Sequence, residues 1–182
     1  MSAPVAGRRR SALRIGILGA ARIARLFVDS VRPSTKVAVV AIAARDATRA
    51  RAFAAELGIP RAHASYESLL ADPELDAIYN PLPNTLHAEW SIRALGAGKH
   101  VLCEKPLAMS SRDADAMFAA ARRNGRHLVE GYPYRAQPQT VKLRELLASG
   151  AIGTVQVVQA SFGFPMRDLA NIRYDQRSVA AR

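Results

Sequence analysis

Acidic residues, aromatics and cysteine are all scarce in this chain. Of its 182 residues only 15 are Asp or Glu, against 26 Lys or Arg, which leaves a formal charge of +11. The single cysteine, Cys103, excludes an internal disulfide and fits a reducing cytosol, so the expected compartment is the cytoplasm. No apolar run approaches the ~20 residues needed to cross a bilayer. Met1–Arg10 carries no apolar h-region, so no secretory signal is expected either. The charge raises a nucleic-acid partner, but aromatics are only 6% of the chain, too few to stack a strand of bases. The basic residues are mostly scattered arginines, with one block at Arg8-Arg9-Arg10. No nucleic-acid partner is therefore expected.

What the chain does have is apolar content, 49% of residues, arranged in alternating strand and helix patterns. Residues 1–11 read as a disordered basic arm. Leu13 to Leu18 is a buried strand. Ile23, Leu26, Phe27 and Val31 then share one face of a helix that Pro33 ends. Lys36 to Ala43 is a second strand. Asp46 caps a helix from Ala47 to Leu57, closed by Gly58. Ser65 to Leu70 is a short helix, and Leu75 to Tyr79 is a strand. Asn84 caps a helix carrying His87, Trp90, Ile92 and Leu95. His100 to Cys103 is a strand, Ser110 opens an Ala-rich helix to Asn124, and His127 to Val129 is a last strand. Nearly continuous apolar strands alternating with helices predict an α/β fold, a doubly wound parallel sheet covered on both faces. After Glu130 the pattern changes. Gln139 to Ala148 reads as a helix. Thr154 to Ser161 alternates like a half-buried strand of a mixed sheet. Arg167 to Arg182 has no period. The organisation expected is therefore a basic arm (1–11), a nucleotide-type domain (12–130) and part of a second, α+β domain (131–182).

The first strand runs into Gly19-Ala20-Ala21-Arg22-Ile23-Ala24. This fits a dinucleotide turn with alanine at the second and third glycine positions. Gly19 makes the sharp exit, Ala21 lets a pyrophosphate approach the backbone, and Ala24 lets helix and strand pack closely. The helix start, with Arg22 and Ile23, offers amide donors to phosphate. An ordinary βα turn is the alternative. The second strand exits as Ala44-Arg45-Asp46. Sites that take NAD place a carboxylate here, and sites that take NADP place an Arg for the 2′-phosphate. Arg45 can grip that phosphate in a fork, while Asp46 is more simply a helix cap. The expected cofactor is NADP, with NAD as the alternative.

A second candidate is Glu104-Lys105-Pro106. It places a Lys at the carboxyl end of a buried strand, where open α/β sheets bind ligands. Pro106 restricts Lys105 to extended geometry and admits a cis bond. The plain alternative is a solvated Lys in a strand-ending loop.

These segments together resemble the Gfo/Idh/MocA oxidoreductase family. The resemblance runs from about Leu13 to Asp175. It is carried by the Gly16 to Ala24 turn, Ala44-Arg45-Asp46, Ser65-Tyr66-Glu67, Asp76 to His87, Gly98 to Pro106, and Tyr134-Arg135 with Pro138-Gln139. It implies a Rossmann-type domain followed by an α+β substrate domain, here incomplete. It implies hydride transfer between a nicotinamide and a carbon bearing a hydroxyl on a sugar, cyclitol or diol. Lys105 takes the place of the family's catalytic Lys beside the nicotinamide, where its charge would favour a developing alkoxide. Pro81, Leu82, Asn84 and Glu104 would line the cofactor, and His87 would sit close by. For His87 a direct role and a merely structural one both stay open. Cys103 reads as a packed strand residue, and His63, His100 and His127 carry no functional claim.

The family's second domain also holds a glycine-rich turn and a helix with an Asp and a His, the His commonly serving as acid/base. After Asp175 this chain has neither the turn nor a His. The expectation is therefore an impaired oxidoreductase. A dinucleotide-binding module without catalysis is the alternative. The partners expected are a small polyol- or sugar-like substrate and a second copy through the C-terminal sheet.

Overall fold

The computed structural model describes residues 12–163 and 165. The basic arm expected at 1–11 and the aperiodic stretch Arg167–Arg182 lie outside the described residues. Six strands form one sheet: β1 (Leu13–Leu18), β2 (Val37–Ala43), β3 (Arg61–His63), β4 (Ala77–Asn80), β5 (His100–Glu104) and β6 (Leu128–Gly131). Their order is β3-β2-β1-β4-β5-β6, and every pairing is parallel. The chain winds outward from β1 to β3, then crosses back to β4 and winds the other way. β1 and β4 are thus neighbours at the point where the winding reverses.

Both faces are covered, which is why the central strands are apolar without a break. On one face, α1 (Arg22–Val31) and α2 (Ala47–Leu57) pack Ala24, Val28, Phe53 and Ala54 onto Ile15, Ile17, Ile42 and Tyr79. On the other, α3 (Tyr66–Leu70), α4 (His87–Gly96) and α5 (Ser111–Arg123) pack Leu69, Trp90, Leu95 and Met117 onto Leu18, Ile78, Val101 and Cys103. Ile17, Leu18, Ile42 and Ile78 are fully buried. Each such side chain stabilises the fold by roughly 1.5–3 kcal/mol relative to exposure.

The caps match the side chains that make them. Asp46 Oδ1 accepts the Thr48 N–H at 2.8 Å, and Ser110 Oγ accepts the Asp113 N–H at 3.1 Å. α2 closes on Gly58 in left-handed geometry.

Several sequence expectations are corrected. The buried face of α1 is Ala24 and Val28, with Phe27 half-buried, whereas Ile23 and Leu26 are 41% and 60% exposed. Small Ala24 lets the helix sit close on the sheet, and that contact sets its rotation. β3 was not expected, because Arg61-Ala62-His63 has no apolar run. Asn84 does not cap α4. A 3-10 turn at Asn84–Leu86 intervenes, and Leu86 occupies the cap position. α6 (Pro138–Ala148) is present but buries no residue. Thr154 to Ser161 forms no strand. No described strand lies beside it to take its backbone hydrogen bonds, and Val157 and Val158 are each 82% exposed.

Candidate functional site

The carboxyl ends of β1, β2, β4 and β5 meet at one edge of the sheet, around the reversal between β1 and β4. Each end delivers one group of candidate residues.

At the end of β1, Gly19 has φ +87°, a left-handed conformation that L side chains rarely take. A Cβ there would stand 2.9 Å from Leu82 Cδ2, so that side chain would have to shift. The Gly19 N–H donates to the Ala43 carbonyl at 2.7 Å, which ties the ends of β1 and β2 together. Ala21 is the N-cap of α1 and offers no side-chain acceptor. The Ala24 N–H is taken by the Ala21 carbonyl at 3.0 Å, and the Arg22 and Ile23 amides keep their donors for another acceptor. No acidic residue stands in that turn, so the positive end of the helix is not neutralised.

Just beyond β2, Arg45 is exposed, and its guanidinium makes no ion pair with a described residue. Arg49, one turn into α2, donates from Nη2 to the Ala20 carbonyl at 3.1 Å. This links the second-strand exit directly to the turn after β1. Burial pushes the Tyr66 phenol up, while the nearby Arg45 and Arg49 guanidiniums act in the opposite direction. Both cations thus stand near Tyr66, whose hydroxyl lies 3.6 Å from where a Gly19 Cβ would be.

At the end of β4, fully buried Asn80 organises the next loop. Its Nδ2 donates to Ser91 Oγ at 3.0 Å and to the His87 carbonyl at 3.3 Å, and its Oδ1 accepts the Leu82 N–H at 3.3 Å. Pro81 and Leu82 are buried beside it, and Asn84 starts the 3-10 turn. His87 is fully buried below the loops. Its Nε2 lies 2.8 Å from the Leu82 carbonyl and its Nδ1 lies 2.8 Å from the Pro106 carbonyl. The ring therefore braces the loop after β4 against the loop after β5.

At the end of β5, the Lys105–Pro106 bond is cis. Lys105 is exposed. Glu130 on β6 accepts the Leu107 N–H at 2.9 Å, so the Glu104-Lys105-Pro106 loop is held from two sides. Glu104 accepts the Tyr79 hydroxyl at 2.7 Å. Cys103 is buried, and burial pushes its thiol up to about 12, which suits a packing role.

The structure thus brings Gly19, Ala21, Arg22, Ile23, Arg45, Pro81, Leu82, Asn84, Glu104 and Lys105 to one edge, with His87 behind the wall. His100 and His127 stack on each other at the start of β5, away from that edge, and His63 pairs with Asp72. Arg49, Tyr79, Asn80 and Glu130 were not singled out from sequence. A buried Asn in an apolar strand, and an Arg four residues after Arg45, were the available signals.

A glycine turn, an uncapped helix start and basic residues at the reversal point of a doubly wound sheet define a dinucleotide-type crevice. A family model described as an oxidoreductase family with an NAD-binding Rossmann fold, GFO_IDH_MocA, matches residues 13–132. This chain belongs to that family. It is 47% identical to a D-xylose 1-dehydrogenase (NADP(+)) from Haloferax volcanii, covering 90% of this chain and 50% of the relative. It is 42% identical to a mouse trans-1,2-dihydrobenzene-1,2-diol dehydrogenase, over 88% of this chain and 48% of the relative. Among solved structures, KijD10, a 3-ketoreductase from Actinomadura kijaniata in complex with NADP and TDP-benzene, superposes with a TM-score of 0.81. That match has 38% identity and covers 90% of this chain and 50% of the other. The chain spans about half the length of the curated relatives it matches. No helix among the described residues is long and apolar enough to cross a membrane.

Proposed function

We propose that this chain carries the nucleotide-binding part of an NADP-dependent oxidoreductase acting on a hydroxyl carbon of a sugar-, cyclitol- or diol-like substrate. The observation that carries the reading is the convergence of the Gly19 turn, the Arg45 and Arg49 cations, and Lys105 at one sheet edge. The residues fit the nucleotide. Gly19 makes the left-handed exit from β1, Ala21 leaves the backbone open to a pyrophosphate, and the α1 amides of Arg22 and Ile23 offer donors to it. Arg45 offers an unpaired fork to a 2′-phosphate, and Arg49 adds a second cation beside it. Pro81, Leu82 and Asn84 form the opposite wall, while His87 acts from behind by fixing that wall to the Lys105 loop.

NADP, when bound, supplies or accepts a hydride at nicotinamide C4. Lys105 holds a positive charge where a substrate alkoxide develops and lowers the cost of that charge. Glu104 shapes the loop that presents Lys105. Residues 12–130 would be the nucleotide domain and 131–182 the start of a substrate domain. Residues from that part would also bring copies of the chain together. The lone thiol suits the cytoplasm. Among relatives, the xylose and dihydrodiol dehydrogenases support the substrate class.

One observation favours a second reading, nucleotide binding without turnover. Both ring nitrogens of His87 face main-chain carbonyls, so no histidine of the described crevice is free to serve as acid/base. General acid/base help is typically worth ~10²–10⁴-fold in rate.

The test is a fluorescence titration of the 182-residue chain with NADPH and with NADH. Arg45→Ala should weaken NADPH at least about tenfold, the scale of one charge-assisted phosphate contact, and leave NADH nearly unchanged. Equal losses, or no binding by the unaltered chain, would count against the assignment. A screen of polyols, cyclitols and aldoses with NADP then separates the two readings.

A further inference from the structure

Lys105 follows a carboxylate in sequence, and an adjacent carboxylate is the most direct threat to a useful ammonium. A Glu104–Lys105 ion pair would quench the charge and turn the side chain away from the crevice. Among the described residues Lys105 makes no ion pair. The Glu104 carboxylate is engaged elsewhere. Its Oε1 accepts the Tyr79 hydroxyl at 2.7 Å and its Oε2 accepts the Lys105 main-chain N–H at 3.3 Å.

Tyr79 is placed for this by packing between the sheet and α1. It is 2% exposed, and its ring stacks on Phe27 of α1 with centroids 4.1 Å apart and planes 20° apart. Burial, reinforced by the Glu104 carboxylate, pushes the phenol well above its ordinary range, so the hydroxyl remains a donor at any working pH. β6 leaves space for the acceptor. A Cβ on Gly131 would stand 3.2 Å from the Cys103 carbonyl and 3.5 Å from Glu104 Oε1. A side chain there would press on the Cys103 carbonyl and reach van der Waals contact with the carboxylate.

We propose that Tyr79 is a positioning residue for Lys105: by holding the Glu104 carboxylate on the α1 side of the sheet, it keeps that carboxylate out of an ion pair with the neighbouring ammonium. Its functional meaning rests on the reading of Lys105 as the charge beside the reacting hydroxyl. Phe27, Tyr79 and Glu104 then form a line from the helix at the phosphate turn to the loop that carries the chemistry. Other titratable groups pack beside the loop, with Tyr132 and Arg135 lining the same cavity as Leu107 and Glu130. Glu130 on β6 accepts the Leu107 N–H, His87 on α4 faces the Pro106 carbonyl, and Cys103 is buried within β5.

The experiment reads Lys105 directly. The full chain, without nucleotide, is pulsed with an amine-acylating reagent across a pH series, and modification of the Lys105 peptide is followed by mass spectrometry. Tyr79→Phe keeps the ring stack and removes the hydroxyl. It should move the Lys105 midpoint up by ~1 pH unit, about tenfold lower reactivity below the midpoint, as an opposite charge within a few ångströms does. Adding Glu104→Gln to Tyr79→Phe should restore the original profile, because the amide carries no charge. Glu104→Gln alone should leave the profile in place. The proposal is overturned if folded Tyr79→Phe has an unchanged profile, or if its shift survives in the double variant. It is also overturned if Glu104→Gln alone lowers the midpoint by ~1 unit, since the pair would then already exist. That last arm can overturn the proposal even if Tyr79→Phe fails to fold. NADPH binding is scored separately, so a failure of the nucleotide reading leaves the Lys105 profile interpretable.

Discussion

Two helices show what separates the two regions of this chain. α5 buries Met117, Ala120 and Ala121 against the sheet, while α6 buries nothing and leaves Val141, Leu143, Leu146 and Leu147 exposed. Both carry apolar residues. The difference is that α5 is a crossover between two adjacent parallel strands and is laid on the sheet by its own connections. α6 follows the edge strand β6 and has no described surface beneath it. Ile152, Val155, Val157, Val158 and Phe162 repeat the pattern further on, all exposed. Apolar content becomes a core only where topology supplies the facing layer. The described residues of the crevice belong to the region where it does.

The largest expected effect contrasts the two helices. Met117→Ala should destabilise the chain by ~2–5 kcal/mol, through lost burial and a cavity. Leu146→Ala should change stability by less than ~0.5 kcal/mol. Urea midpoints at an unchanged slope are the measurement. A cost above about 2 kcal/mol for Leu146→Ala would mean that α6 is covered in solution. Next is Gly19→Ala, where a side chain must adopt φ +87° and press on Leu82. It should cost ~1–2 kcal/mol of stability and weaken NADPH and NADH alike. A loss confined to one nucleotide would remove the turn from the shared pyrophosphate site.

The smallest effect is a pH dependence of the sheet region. The Arg14 guanidinium, bonded to Asp76 at 3.0 and 3.1 Å, holds that carboxyl below its usual range against the opposing pull of burial. A depressed folded pKa adds stability above the unfolded value of about 3.9. That stability is lost as pH falls through the folded value. Asp76→Asn should therefore be less stable than the parent at neutral pH, and the gap should close on acidification. With the Asp76 side chain 35% exposed, solvent keeps the effect modest. A gap that widens in acid would contradict the assignment.

Much of the sheet region was legible because its signals are local. Continuous apolar runs marked β1 and β2, and Asp46, Gly58 and Ser110 marked helix ends. β3 was not legible, because a three-residue edge strand is defined by β2 beside it rather than by its own pattern. The rotation of α1 was misread because Ala24 carries little hydrophobic weight yet sets the closest approach. Thr154 to Ser161 has the alternation of a strand, but a strand also requires a neighbour. The site divides the same way. That Gly19, Arg45 and Lys105 lie at strand ends on one edge of the sheet was readable from local motifs. The Tyr79–Glu104 bond and the His87 brace join residues 25 and 19 positions apart, and only the fold brings them together. Whether His87 touches ligand or supports the wall could not be read from spacing. Its two carbonyl neighbours point to support.

The central claim is that the crevice between β1 and β4, with the β2 and β5 exits beside it, is a complete nucleotide site carried by the sheet region. Hydrogen exchange on the whole chain, with and without saturating NADPH, tests it most directly. Slowed exchange is expected at the Gly19–Ile23 amides and in the loops after β4 and β5, with no change from Thr154 to Ser161. Unchanged exchange at the Gly19 turn, or NADPH protection confined to residues after Gly131, would contradict it.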